Sequence, residues 1–278
     1  MQIANAIKYA QQQFVKSDSA RLDAEVLICS VLKCERIHLY TYPEKRLSNT
    51  DLSSFKKLIK LRIEGHPIAH LIQKREFWSL DLKVTIDTLI PRPETEILVE
   101  AALDLIPKEL PHSILELGTG TGAISIAIAS SRNLARITAT DIKKAALDVA
   151  ISNAKSYQLS NINFENANWF DMKDISTYDL IISNPPYICI DDPHLGQGDV
   201  RFEPESALVS GKEGLDDLRI IITGAKNYLN NNGWLLVEHG HQQGKTIKQL
   251  LKNNNYSTIS TLKDYSNLDR IGIGQWVL

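Results

Sequence analysis

Leu180-Ile181-Ile182-Ser183-Asn184-Pro185-Pro186-Tyr187 reads as a buried strand that ends in a rigid polar turn. The unbroken apolar run after Asp179 is that of a strand covered on both faces, as in a parallel sheet flanked by helices. Asn184 places a carboxamide at the strand's carboxyl end. The two prolines hold φ at about −65° and carry no N–H, so the turn offers carbonyl acceptors with few competing donors. Tyr187 adds an aromatic face. Together these groups can hold a planar –NH2 group, with two acceptors for its two hydrogens and a ring against its plane.

Around this strand the chain alternates. Residues 113–117, 135–140, 161–165, 178–183 and 233–238 read as strands. Helices are expected from residue 123, over 143–157, over 215–229 and over 243–252. Such alternation means a parallel sheet with helices on both faces. Residues 256–262 and 271–277 are strands with no helix between them, which implies a closing antiparallel hairpin. The expected fold is α/β, a seven-stranded, mostly parallel sheet with one reversed strand.

Glu116-Leu-Gly118-Thr119-Gly120-Thr121-Gly122-Ala123 joins the first of these strands to its helix. Glycines there let the backbone turn tightly and approach a ligand. Asp141 ends the next strand, where a carboxylate can hold ribose hydroxyls. Taken alone, the loop fits a dinucleotide site as well as an S-adenosylmethionine site, and a bare structural turn is a third option. The Asn184 turn decides between them. It has no role in hydride transfer, and it lies on the same carboxyl edge of the sheet. Trp169, after the third strand, can flank an adenine ring or simply fill the core.

The first 70 or so residues read as a small helical bundle. Ile3, Ile7, Ala10 and Phe14 share one face, Leu22 to Leu32 another, and Leu52, Phe55, Leu58 and Ile59 a third. Ser17-Asp18-Ser19 can cap the second helix and Ser48 to Asp51 the third. Lys56, Lys57, Lys60 and Arg62 are expected on a solvated face, where they can also help dock an acidic partner. Residues 76–86 form a linking strand pair. Pro93, Glu94 and Glu96 suit a first helical turn. Arg92, wedged between two prolines, is left unexplained by that reading and is expected to position the substrate loop. Glu203-Pro204 is expected to be a structural corner.

Composition sets bounds on function. The 278 residues carry a net charge of −2, and 43% are hydrophobic. The pI of about 6.4 does not favour a strongly basic nucleic-acid binder. No apolar run reaches the ~18–20 residues of a membrane span, and no secretory signal is evident. Cys29, Cys34 and Cys189 lack metal-ligand spacing, so a reduced cytoplasmic protein is expected. His239 and His241 alone make a poor metal site, and no metal is expected.

The ordered set of motifs resembles the protein-(glutamine N5) methyltransferases that modify peptide chain release factors, the HemK or PrmC family. The resemblance runs through Ile90-Pro-Arg-Pro-Glu-Thr-Glu96, the glycine loop, Trp169-Phe170 and Asn184-Pro-Pro-Tyr187. It continues through Phe202-Glu203-Pro204, Ala207-Leu208, Glu238-His239-Gly240, and Asp264-Tyr265 with Arg270. It departs at Glu116, where Asp is commoner, at Trp78-Ser79, where glycine is usual, and at His70, where an aromatic is usual.

The resemblance implies a class I S-adenosylmethionine-dependent methyltransferase. Residues 1–75 would be a helical substrate-recognition domain, 76–88 a linking β-hairpin and 89–278 the methyltransferase domain. Gly118, Thr119, Gly120, Thr121, Gly122, Asp141, Trp169 and Asn184 would contact S-adenosylmethionine, with S-adenosylhomocysteine as product. Asn184, Pro185, Pro186 and Tyr187 would receive the glutamine of a Gly-Gly-Gln motif in a class 1 release factor, with Asn184 and Pro185 catalytic. A monomer is expected, with no direct nucleic-acid contact. The alternatives are a glutamine methyltransferase acting on a ribosomal protein, an adenine-N6 nucleic-acid methyltransferase, and a non-enzymatic binding module.

Overall fold

The computed structural model describes residues 1–173 and 176–278. By contacts the chain divides into two units. One comprises Met1–Lys74 with His194–Phe202, the other Arg75–Pro193 with Glu203–Leu278. His194–Phe202 is a segment that sequence segmentation leaves inside the carboxyl-terminal part.

The first unit is helical: α1 (Ile3–Gln13), α2 (Ala20–Leu32), α3 (Arg36–Thr41), α4 (Asn49–Ile63) and α5 (Ile68–Ile72). Its core joins Ile3, Ala6, Ala10 and Phe14 to Leu27, Ile28, Phe55 and Ile59, whereas Leu22, expected on the apolar face of the second helix, is exposed. Ser48 caps α4 by accepting the Asp51 N–H at 3.0 Å. The cap expected for α2 takes another form. The hydroxyls of Ser17 and Ser19 both donate to the Asp23 carboxylate at 2.8 Å, and Ser17 Oγ also accepts the Ser19 N–H at 3.1 Å.

Arg62 corrects the solvated-face expectation. It is largely buried and pairs with Asp23 at 2.8 Å and with Asp199 at 3.4 Å. The segment carrying Asp199 is held further by Arg201, which donates to the Glu64 carbonyl at 3.0 Å, and by Phe202 against His66.

A hairpin, β1 (Lys74–Phe77) and β2 (Leu80–Lys83), starts on the last residue of the Met1–Lys74 stretch and lies otherwise in the second unit, followed there by α6 (Thr95–Leu105). The alternating region then gives β3 (Ser113–Leu117), α7 (Ala123–Ser131), β4 (Arg136–Asp141), α8 (Lys144–Ser156), β5 (Ile162–Asn166) and β6 (Tyr178–Ser183). It ends with α9 (Asp216–Ala225), β7 (Leu229–Glu238), α10 (Gly244–Asn253), β8 (Ser257–Lys263) and β9 (Asp269–Gln275). The sheet order is β5-β4-β3-β6-β7-β9-β8. Pairing is parallel from β5 through β7, while β9 runs antiparallel to both β7 and β8. This is the expected seven-stranded sheet with one reversed strand.

Alternate side chains of the central strands feed two cores. Ile114, Ile182 and Leu236 pack on one face with α6 and α7. Leu115, Ile181 and Leu235 pack on the other with α9 and α10. β7 begins at Leu229, four residues before the expected start, and its pairing with β6 is irregular near Tyr178. Among the described residues no helix is long and apolar enough to cross a membrane.

The strand order fixes where a ligand can sit. The chain winds from β3 outward through β4 to β5, then returns to β6 on the other side of β3. That reversal opens a crevice at the carboxyl ends of β3 and β6. Leu117 is paired with Ser183 there, so the glycine loop and Asn184 leave the sheet side by side.

Candidate active site at the carboxyl edge of the sheet

The loop after β3 is braced from beneath. Glu116 is buried, and its carboxylate accepts from the Thr119 hydroxyl at 2.7 Å, from the Ser125 N–H at 3.1 Å and from the Ser125 hydroxyl. Burial pushes its carboxyl up to about 7, against the pull of these donors. Gly122 has φ +80°, and a Cβ there would meet Ile126 at 3.0 Å and the Ala150 backbone at 3.3 Å. Only glycine fits that turn into α7. A Cβ on Gly118 would lie 3.5 Å from the Trp169 ring, so backbone and indole face each other closely.

Asp141 ends β4 and accepts the Gly120 N–H at 2.9 Å and the Lys143 N–H at 2.8 Å. Burial raises its pKa despite both bonds. Trp169 stands in the left-handed region at φ +51°, an uncommon and strained state for a bulky residue. Its indole N–H donates to Asp217 at 3.2 Å. These groups line a cavity of about 350 Å³, within the usual range for small-molecule sites.

Asn184 and Pro186 line the same cavity, as do Gly118, Thr119, Gly120, Thr121, Asp141 and Trp169. Gly122, Pro185 and Tyr187 are not among its lining residues. Pro185 is buried. The Tyr187 hydroxyl donates to Glu238 at 3.1 Å, and its carbonyl accepts from Gln243 at 3.1 Å. Burial pushes the Tyr187 phenol well above its ordinary range. The Asn184 amide nitrogen donates to Thr95 Oγ1 at 3.1 Å, and Thr95 Oγ1 donates to Glu238 Oε2 at 2.8 Å.

Several residues of the site carry no signal of their own in the sequence. Thr95 lies in the Pro-Arg-Pro-Glu-Thr-Glu stretch, yet its partners are found only through the fold. Asn153 binds both the N–H and the C=O of Lys83 in β2 and donates to the Thr121 carbonyl at 2.9 Å, tying hairpin to glycine loop. Arg92 pairs with the buried Glu203, which also accepts the Ile90 N–H at 3.1 Å. Arg92 thus anchors the segment that follows the Asn184 turn. His239 is fully buried, donates from Nδ1 to the Gly240 carbonyl, and is held neutral by burial. Among the described residues no cluster of metal-ligating side chains occurs.

A sheet of this order with a glycine loop and a carboxylate on neighbouring strands is that of a class I methyltransferase. The solved structure of a methyltransferase from Pyrococcus furiosus shares this fold with a TM-score of 0.55 at 18% identity, over 81% of this chain and 100% of that one. The hMettl16 catalytic domain, solved with an RNA hairpin, aligns with a TM-score of 0.58 at 14% identity, over 86% and 85%. A family model described as a methyltransferase domain matches residues 111–272, and one described as the PrmC N-terminal domain matches residues 5–72.

Curated relatives narrow the class. A release factor glutamine methyltransferase of Aliivibrio fischeri is 46% identical over 263 residues, covering 94% of this chain and 92% of the relative. One of Vibrio cholerae is 46% identical over 280 residues, covering 99% and 96%. The chain belongs to the release factor glutamine methyltransferase family.

Proposed function

We propose that this chain transfers a methyl group from S-adenosylmethionine to the side-chain amide nitrogen of the glutamine in the Gly-Gly-Gln motif of class 1 peptide chain release factors. The carrying observation is that Asn184 opens into the same cavity as the glycine loop and Asp141, in a chain 46% identical to release factor glutamine methyltransferases. The residues fit the donor. The loop backbone turns tightly at Gly118, Asp141 can take ribose hydroxyls, and the Trp169 indole lies against Gly118.

When bound, the donor supplies a methyl group on a positively charged sulfur that departs as the neutral thioether S-adenosylhomocysteine. The chain's part is positioning. A carboxamide nitrogen is a weak nucleophile because its lone pair is delocalised into the carbonyl. Asn184 Oδ1 and the Pro185 carbonyl each accept one of its hydrogens, which aims the nitrogen and favours the charge that develops on it. No side-chain base is required, because an N-alkylated, protonated amide is acidic and releases its proton to water. Pro186 walls the glutamine side, and Tyr187 holds the turn from behind through its bonds to Glu238 and Gln243.

The helical unit, residues 1–75, serves as the recognition domain for the protein substrate, and the hairpin at 76–88 links it to the methyltransferase domain over 89–278. The three cysteines are free, which suits action in a reducing cytoplasm. The enzyme works as a monomer. The test is methyl transfer from labelled S-adenosylmethionine to a purified class 1 release factor and to a variant whose Gly-Gly-Gln glutamine is replaced. Label in the first alone supports the reading. Label in neither, with the cofactor still bound, overturns it in favour of a ribosomal-protein or nucleic-acid substrate.

A further inference from the structure

Glu238 is a fully buried carboxylate at the end of β7 to which the transfer step assigns no part. It accepts from Thr95 through Oε2 and from Tyr187 through Oε1, so two elements distant in sequence converge on it. An ionised carboxylate accepts only. The single Thr95 hydroxyl proton is therefore committed to Glu238, and what Thr95 presents to Asn184 is a lone pair. The Asn184 amide must meet it with nitrogen, at 3.1 Å. Oδ1 is then the amide atom left to accept from a ligand. A reversed hydroxyl would put the Asn184 oxygen on Thr95 and offer an –NH2 donor to the substrate –NH2.

We propose that Thr95 and Glu238 are positioning residues for the transfer: the ionised carboxylate sets the direction of a hydrogen-bond chain that turns the Asn184 carbonyl oxygen toward the substrate nitrogen, and steadies Tyr187 from its other oxygen. The inference rests on the reading of Asn184 as the acceptor for the glutamine amide.

The surroundings of Glu238 are compatible with a change of state in the working range. Burial pushes its carboxyl up to about 7. Arg270, from β9, pulls it down but is itself paired with Asp264 at 2.9 Å. Glu94, ahead of α6, pushes it up. Arg92 faces Tyr187 and favours the phenolate, the opposite of Glu238's own effect. His239, next in the chain, is held neutral. Protonated on Oε2, Glu238 donates to Thr95 Oγ1 in place of accepting from it, and the Thr95 hydroxyl proton is released to turn to Asn184.

The experiment uses the full chain, labelled S-adenosylmethionine and a class 1 release factor. Wild type, Thr95→Ser, Thr95→Val and Glu238→Gln are compared for cofactor Kd, kcat, KM and the pH profile of kcat over about pH 5.5 to 9. In wild type and Thr95→Ser, kcat falls as pH drops through about 7. Thr95→Val lowers kcat about 10- to 100-fold with cofactor Kd within about twofold. Glu238→Gln lowers kcat similarly and loses the acid limb.

A purely structural role would leave the profile's shape unchanged in Glu238→Gln, and that result overturns the proposal. So does Thr95→Val at wild-type kcat. Should Glu238→Gln fail to fold, the Thr95→Ser and Thr95→Val pair decides alone. Wild type that labels no release factor overturns the functional reading, and this inference with it. Active wild type with unaffected variants overturns this inference only.

Discussion

Glu116 and Glu238 invite comparison. Each is a glutamate about 1% exposed near the carboxyl end of a central strand, and burial raises each to about 7. Their partners differ. Glu116 is satisfied by Thr119 and Ser125, three and nine residues away. Glu238 is satisfied by Tyr187 and Thr95, 51 and 143 residues away. The first braces one loop, on which we propose the cofactor lies. The second gathers separate elements around the turn we propose as the acceptor site. Equal burial and equal charge thus serve a local device on one side of the crevice and a long-range one on the other. Changes on the acceptor side should fall on kcat, and changes on the cofactor side on cofactor affinity and local stability.

The largest effect is expected at the acceptor. Asn184→Ala removes one preorganised acceptor and should cost about 2.7–4 kcal/mol in transition-state stabilisation, roughly 10²–10³ in kcat. The change in cofactor Kd should be far smaller, even though Asn184 lines the shared cavity. Single-turnover transfer at saturating cofactor measures this directly. A kcat near wild type would remove Asn184 from the reaction and leave the two sides of the crevice without a division of labour.

Next comes stability against pH, where the two carboxylates should behave alike. Each has a folded pKa of about 7 against an ordinary 4.5, so the folded chain holds protons that the unfolded chain has released. Their contribution is complete below about pH 4.5 and is lost as pH rises through about 7, by on the order of 3 kcal/mol each. His239, lowered from 6.5, opposes them near the top of that window. Asp179 and Asp264, lowered from 3.8, lose their contributions only at more acid pH. Urea unfolding without added cofactor should therefore show stability falling between pH 4.5 and 7, and Glu116→Gln should flatten that slope. An unchanged slope would show that Glu116 is ionised throughout the range.

On the local side, Gly122→Ala should cost about 1–3 kcal/mol, since it combines positive φ with contact against the Ala150 backbone. Cofactor affinity should drop with it, while kcat at saturating cofactor holds. A kcat loss as large as that of Asn184→Ala would blur the distinction between the two sides.

The same contrast explains what was legible in the sequence. The sheet, its reversed strand, the glycine loop and the Asn184 turn rest on periodicity and on turn chemistry within a few residues, and each can be read from a short window. The residues that hold Asn184 cannot. Its contact with Thr95 spans 89 positions, and the next link to Glu238 spans 143. Arg62 looks solvated beside Lys56, Lys57 and Lys60 because its partners Asp23 and Asp199 lie 39 and 137 residues away. Arg92 is conspicuous between its prolines, but its partner Glu203 is 111 residues on. Side-chain pairing at such separations is set by the folded sheet and leaves no local pattern.

The hairpin between β1 and β2 gives the smallest effect and a sharp form of the contrast. Trp78 and Ser79 occupy its two-residue loop at φ +55° and +56°, the geometry in which Asn-Gly is favoured. Both positions carry the left-handed penalty, yet they differ in what else holds them. Ser79 is exposed. Trp78 packs against the core beside α6, and its N–H donates to Glu96 at 2.8 Å. Relieving strain at Ser79 costs only the extra freedom of the unfolded chain, so Ser79→Gly should stabilise by about 0.5–1 kcal/mol, or about 1–2 °C in Tm. Trp78→Gly relieves the same strain but removes a packed indole, and it should destabilise. Thermal unfolding of the two variants gives opposite signs if backbone strain is a local matter and packing a long-range one. A Tm lowered by Ser79→Gly would mean that the serine side chain, and not the turn geometry, holds the hairpin.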